Sequence, residues 1–326
     1  MRVTAASGSA FILVGAGVAL AVASGSPFAV AALGLMAFGA LHIALELRYV
    51  IGRFGSVLRG PFLSWLVTLT AAIVIARGLT GVVGWTLRAE IVLGFGIVAV
   101  GCWYALTGGA RIIGFALVIA GLVASLAWPA GYIVVLTHLH NLVPLAFLWD
   151  WSRRLAHGRG WFLAANLVWA VAIPLAILLG TIPITHIAPT WLAPLVGNGS
   201  GLIAAASPGL TGEPGLRYLT VFAFMQTMHY LIWIVFLPLA APDATTSFDR
   251  LVPALRGWRI WALGLGIAAV LGMVFASHYP TGKALYSLIA ACHVYIEFPL
   301  LIVLLVGSRH ASRTGALSPI MGKLTH

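Results

Sequence analysis

Two short segments of this chain carry a histidine and a glutamate one helical turn apart, His42-Ile-Ala-Leu-Glu46 and His293-Val-Tyr-Ile-Glu297. Residues i and i+4 share a helix face, so each pair can ligate one ion or act as a ligand with its orienting partner. His138, His140 and His229 lie in equally apolar surroundings. Gln226 and Tyr230 flank His229 in Phe224-Met-Gln-Thr-Met-His-Tyr230, where they are candidates to position a substrate or oxygen. Imidazole with carboxylate suits iron, zinc or copper, and the lack of clustered thiolates argues against iron–sulfur and blue-copper chemistry. The two cysteines, Cys102 and Cys292, fall in apolar runs and read as small core residues. A haem would use one or two axial histidines on facing helices and leave the carboxylates without a role. Zinc hydrolysis lacks its His-Glu-x-x-His segment, and no nucleophile elbow or phosphate-binding loop is present.

The elements that must position these residues follow from composition. Hydrophobic residues make up 61% of the 326, against about 45–50% in soluble domains, and a membrane-spanning helix needs about 20 apolar residues in a row. Ten such stretches lie near 8–25, 27–50, 61–77, 89–107, 111–128, 130–150, 162–182, 216–240, 259–277 and 284–307. The expected fold is an all-α polytopic membrane helix bundle, residues 1–326 forming one domain. Ala23-Ser24-Gly25 after the first stretch resembles a signal cleavage site, but a lone Arg2 is a poor charged leader and the next stretch follows at once. The longest connection, 183–215, is itself apolar and holds Pro183, Pro189, Pro194 and Pro208. Those prolines argue against a regular helix there. It reads as a connector resting on the bilayer or as a lid over an outer opening. Gly264-Leu-Gly266-Ile-Ala-Ala269 matches a dinucleotide fingerprint in spacing, but it lies within a span and follows no strand.

The net charge of +11 comes from 18 basic and 7 acidic residues. No basic, aromatic-interleaved patch of the kind nucleic acids need is present, so the expected partners are the lipid bilayer and a lipophilic small molecule. With both termini inside, only Arg77, Arg88, Arg217 and Lys283 fall on the outer side of the membrane. That bias is what the positive-inside rule requires, and it places both termini in the cytoplasm. The expected location is a cell membrane, in a prokaryote the inner one.

Depth then follows from a rise of about 1.5 Å per residue. His42 lies roughly 20 Å from the outer surface, His138 about 12 Å, His140 about 15 Å, His229 about 20 Å and His293 about 14 Å. Histidines on the second, sixth, eighth and tenth spans thus converge near the middle of the bilayer. His138 and His140 are two residues apart, about 200° around a helix, so both are not expected at one ion. Depth favours His140, and His138 could line an access path. Glu297, about 20 Å deep, needs a cation or its own proton there. The competing reading is structural, a histidine hydrogen-bonding two helices for about 1 kcal/mol. His157, His186, His278, His310 and His326 fall in loops, at a helix end or in the tail, and read as solvated. Pro144 and Pro299 cannot donate to the carbonyls of His140 and Tyr295, which leaves acceptors there.

The segment Gly39-Ala-Leu-His42-Ile-Ala-Leu-Glu46 resembles the His-x-x-x-Asp segment in an early helix of the Brp/Blh-type membrane β-carotene oxygenases. Glu46 stands in place of the aspartate and Ile43 in place of the family's glycine, and no late helix here carries paired histidines at i,i+4. The resemblance implies that His42, His140 and His229 are iron ligands around a hydrophobic substrate. The expected function is therefore an iron-dependent, non-haem membrane oxidoreductase or oxygenase. His42, His140, His229 and His293 would be its ligands, and Glu46 and Glu297 ligands or partners of ligands. A transporter or channel using the same groups as a proton or substrate path is the alternative. A haem-binding electron-transfer protein is a third reading.

Overall fold

A computed structural model of the chain describes residues 3–80, 82–187 and 189–314, with side chains described as far as residue 306. Arg2, Lys323 and His326 lie outside the described residues, as do the side chains of Arg309, His310 and Arg313. The described residues contain helices and loops and no strand.

Ten of the helices among them are long and apolar enough to cross a membrane, one on each expected stretch. They are α1 (Ala5–Gly25), α2 (Pro27–Phe54), α3 (Gly60–Gly78), α4 (Thr86–Ala105), α5 (Gly108–Ala127), α6 (Pro129–Ser152) and α7 (Arg159–Leu178). A short helix in the long connection is α8 (Ser200–Ala206). The rest are α9 (Gly212–Ala240), a surface helix α10 (Pro242–Leu251), α11 (Trp258–Ser277) and α12 (Tyr279–Thr314).

Local chemistry sets the helix ends. A capping box between Thr4 and Ser7 starts α1. Proline in the first turn of α2, α3 and α10 supplies a preformed φ where the missing N–H is not needed. Inside α6, Pro144 breaks the helix at Val143, and the carbonyl of His140 accepts from the Val143 N–H at 3.0 Å instead. Two π-helical turns, Val168–Ala172 and Ile232–Phe236, end two residues before Pro174 and Pro238. Each proline withholds the N–H that an α-helix would supply four residues back, and a wider turn reassigns the carbonyls.

The chain packs as two compact units, Met1–Ser56 with Ala130–Ala290, and Val57–Pro129 with Ala291–His326. In the first, α2 is central and packs against α9, α10 and α11. A core of Leu41, Leu45, Phe248 and Ile260 joins α2, α10 and α11. Tyr49, Phe147 and Trp233 add a cluster of rings with centroids 5.1–5.8 Å apart. Arginines expected as loop charges are tied down at this end: Arg48 to Asp249 at 2.8 Å, Arg53 to Asp150 at 2.9 Å and Arg154 to Asp243 at 2.8 Å. The 183–215 connection includes the seven-residue helix α8, which fits between Pro194 and Pro208. The connection is fastened by Thr185 N–H donating to the Ser24 carbonyl at 2.9 Å and by the packing of α8 on α9.

In the second unit, α4 packs against α3 and α5. Gly101 of α4 meets Pro299 of α12 so closely that a Cβ there would lie 2.7 Å from the proline Cα. Helix α5 has no buried residue, and Ile112, Ile113, Leu117, Ile119 and Val123 all face outward. Such a surface is stable where the solvent is lipid, because the helix satisfies its backbone internally.

Candidate metal centre

Three helices of the first unit bring imidazoles together. α2 supplies His42, α6 supplies His140 and α9 supplies His229, and one ring nitrogen from each lies within 4.8 Å of the others. Ring centroids are 5.2 Å apart for His42 and His229, and 4.5 Å for His140 and His229. His42 and His229 are buried and His140 is partly exposed. A tetrahedral ion with bonds of about 2.1 Å needs nitrogens roughly 3.4 Å apart, so the separation of up to 4.8 Å exceeds ligating geometry by about 1.4 Å at most.

The tautomer of His42 is set by the backbone. Its Nδ1 lies 3.2 Å from the Phe38 carbonyl, which can only accept, so Nδ1 carries the proton and Nε2 keeps its lone pair. That is the arrangement of an imidazole ligand held by an outer partner. Glu46, one turn further on α2, places Oε2 4.0 Å from Nε2 of His229, and both residues are buried. A carboxylate at such a site is stabilised by a proton on its neighbour or by a cation.

Gln226, His229, Tyr230 and Trp233 occupy one stripe of α9 at i, i+3, i+4 and i+7 spacing. Nε2 of Gln226 donates to the Tyr230 hydroxyl at 3.1 Å, and the Tyr230 ring lies 4.4 Å from that of His42. Tyr230 also shares a hydrogen bond with Tyr286 at the start of α12. Glycines on α2 make room for both partners: a Cβ on Gly34 would lie 2.7 Å from Gln226 Nε2, and one on Gly39 would lie 2.5 Å from the Tyr286 ring.

His138 sits elsewhere. Its Nε2 lies 3.0 Å from the carbonyl of Ala206 in α8, and its ring packs edge-on against Tyr218 and Phe222. It ties the long connection to the bundle. His293 and Glu297 are buried on the part of α12 that belongs to the second unit. Tyr286, His293 and Glu297 are seven and four residues apart and so form one stripe of that continuous helix.

Sequence reasoning missed Tyr286, Trp233 and the Phe38 carbonyl. The stripe spacing of Tyr286 to His293 could have found the first; the others needed the packing. No family model, no curated protein and no solved structure matches this chain.

Proposed function

We propose that the chain is a membrane metalloprotein whose buried histidines hold a transition ion, and that it works as an iron-dependent oxidoreductase on a lipophilic substrate. The observation that carries this reading is that one ring nitrogen from each of His42, His140 and His229 lies within 4.8 Å of the others, with Nδ1 of His42 held by the Phe38 carbonyl. Imidazole nitrogens from three helices, within 4.8 Å of one another, match the donor type of a transition-ion site. Neutral nitrogen ligands with a nearby carboxylate favour iron over magnesium or calcium, which take oxygen donors. Glu46 would ligate or balance charge.

Bound iron would supply electron transfer to or from oxygen. The protein's own contribution is separate. Gln226 orients the Tyr230 hydroxyl, which presents a donor beside His42. The resemblance of the Gly39–Glu46 segment to the β-carotene oxygenases supports an apolar substrate entering from the bilayer. Both termini are proposed to be cytoplasmic, from the bias of basic residues.

The test is elemental analysis and an absorption spectrum of protein purified in mild detergent. Stoichiometric iron without a Soret band is the expected result. A Soret band would replace this reading with a haem protein. Absence of any bound metal after reconstitution would replace it with a transporter that uses the same groups as a proton path.

A further inference from the structure

Among the buried amides of the first unit, Asn166 and Gln226 are satisfied differently. Asn166 of α7 uses both ends: Nδ2 donates to the Phe162 carbonyl at 2.8 Å, and Oδ1 accepts from Trp169 Nε1 at 2.9 Å. Gln226 of α9 uses one. Its Nε2 donates to the Tyr230 hydroxyl at 3.1 Å, while Oε1 has no hydrogen-bond partner among the described residues, although the residue is only 2% exposed. A buried acceptor left unpaired loses its hydration with nothing in return, so a purely structural glutamine ties both ends as Asn166 does. Oε1 can only accept, and the partner it lacks therefore carries an O–H or N–H.

The way to this amide is set by α2. Gly34 and Phe38 lie one turn apart on one face of that helix; Gly34 is partly exposed and Phe38 is 48% exposed. No side chain of residue 34 covers the amide. A Cβ there would lie 2.7 Å from Gln226 Nε2 and 3.6 Å from the Tyr230 ring. The Phe38 ring borders that of Tyr230 at 6.4 Å between centroids, and Tyr230 in turn lies 4.4 Å from His42. The glycine thus leaves a notch in the surface of a spanning helix, with Gln226 beneath it and the candidate centre beside it. An exposed apolar face on such a helix meets hydrocarbon, so a molecule entering there is mainly apolar. A neutral hydroxyl costs far less to carry through hydrocarbon than an ammonium.

We propose that Gln226 Oε1, reached through the Gly34 notch, accepts a hydrogen bond from a hydroxyl group, which makes the substrate of this centre a lipophilic alcohol. Gln226 is then a specificity-determining residue. Its role rests on the reading of a lipophilic substrate given above, and every residue it uses lies in the first unit.

The test is ligand binding to the full-length protein in lipid nanodiscs, with empty discs as the blank. The probes are radiolabelled 1-dodecanol, farnesol and cholesterol, one linear, one branched and one fused-ring alcohol, each compared with its methyl ether. The ether keeps the oxygen and loses the donor. At least one alcohol should bind wild type about tenfold more tightly than its ether, the worth of one hydrogen bond to a buried acceptor. Gln226→Leu should bring that alcohol and its ether within about twofold of each other at unchanged helix content, whereas Gln226→Glu, which keeps an acceptor oxygen, should retain the preference. Gly34→Ala should weaken alcohol and ether alike by about tenfold as the methyl closes the notch. Gly17→Ala, where no atom lies within reach of the new methyl, should bind as wild type does. If no alcohol binds wild type more tightly than its ether, or if Gln226→Leu keeps the full preference, the proposal is overturned. Wild-type affinity in Gly34→Ala would overturn the route through the notch. Iron content is measured on the same samples. An alcohol preference without iron keeps the recognition site and removes the metal, and iron without an alcohol preference does the reverse.

Discussion

The two units bury polar groups in opposite ways. In the second, Glu90 meets a guanidinium and a phenol, and the charges cancel within the protein. In the first, the carboxylate of Glu46 has an imidazole at 4.0 Å, and one ring nitrogen from each of three helices lies within 4.8 Å of the others. A closed ion pair fastens helices and leaves no coordination site. Imidazole nitrogens gathered beside a carboxylate are a candidate place for a cation. The difference separates a structural polar cluster from a candidate centre where composition alone treats the two alike.

That contrast can be broken most sharply at the histidines. His42→Ala and His229→Ala should each abolish stoichiometric metal retention, whereas exposed His278→Ala should retain it, as read by elemental analysis. If all three retain metal equally, the first unit holds a structural cluster too. The next largest effect lies in the second unit. Glu90→Ala leaves Arg77 as a largely buried, uncompensated charge and should cost about 3–5 kcal/mol, seen as a lowered thermal midpoint in detergent. A loss below 1 kcal/mol would mean the guanidinium finds solvent.

Gly39→Ala should sharpen the picture of the first unit. The new methyl would press on the Tyr286 ring and cost about 1–3 kcal/mol, with the Tyr230–Tyr286 hydrogen bond disturbed. Thermal unfolding against Gly17→Ala, where no atom lies within reach of the new methyl, gives the comparison. The smallest effect concerns the surface pair Arg154–Asp243. Burial pushes the Asp243 carboxyl up, but the hydrogen bond and charge of Arg154 outweigh it and hold the carboxyl below its ordinary value. A depressed carboxyl contributes stability above its unfolded pKa and loses it as pH falls through the folded one. Both partners are well exposed, so less than about 1 kcal/mol should disappear on acidification below the usual carboxylate range. Arg154→Ala should abolish that acid-dependent fraction.

Much of the architecture was legible because the bilayer imposes a length rule on apolar runs. All ten stretches became helices, and the differences lie at the ends: α2 extends to Phe54, α9 starts at Gly212 and α12 starts at Tyr279. The ends were less legible because ion pairs can carry helices past the apolar core, as Arg53 does on α2 through Asp150. In the 183–215 connection, prolines point to irregular chain, but the spacing between them leaves room for α8. Around the candidate centre, spacing pointed to the His42/Glu46 face. It could not reveal Tyr286 beside Tyr230, because the two are 56 residues apart and meet only through packing.

By itself, then, the sequence determined an all-helical membrane protein with ionisable groups inside its apolar stretches, since hydrophobic length and charge placement are one-dimensional properties. Tertiary structure decided which of those groups meet. It gathered His42, His140 and His229, sent His138 to the carbonyl of Ala206, and closed Arg77, Glu90 and Tyr295 on one another. The physical reason is azimuth. Depth along a helix follows from counting residues, but the direction a side chain faces is fixed only when neighbouring helices pack against it.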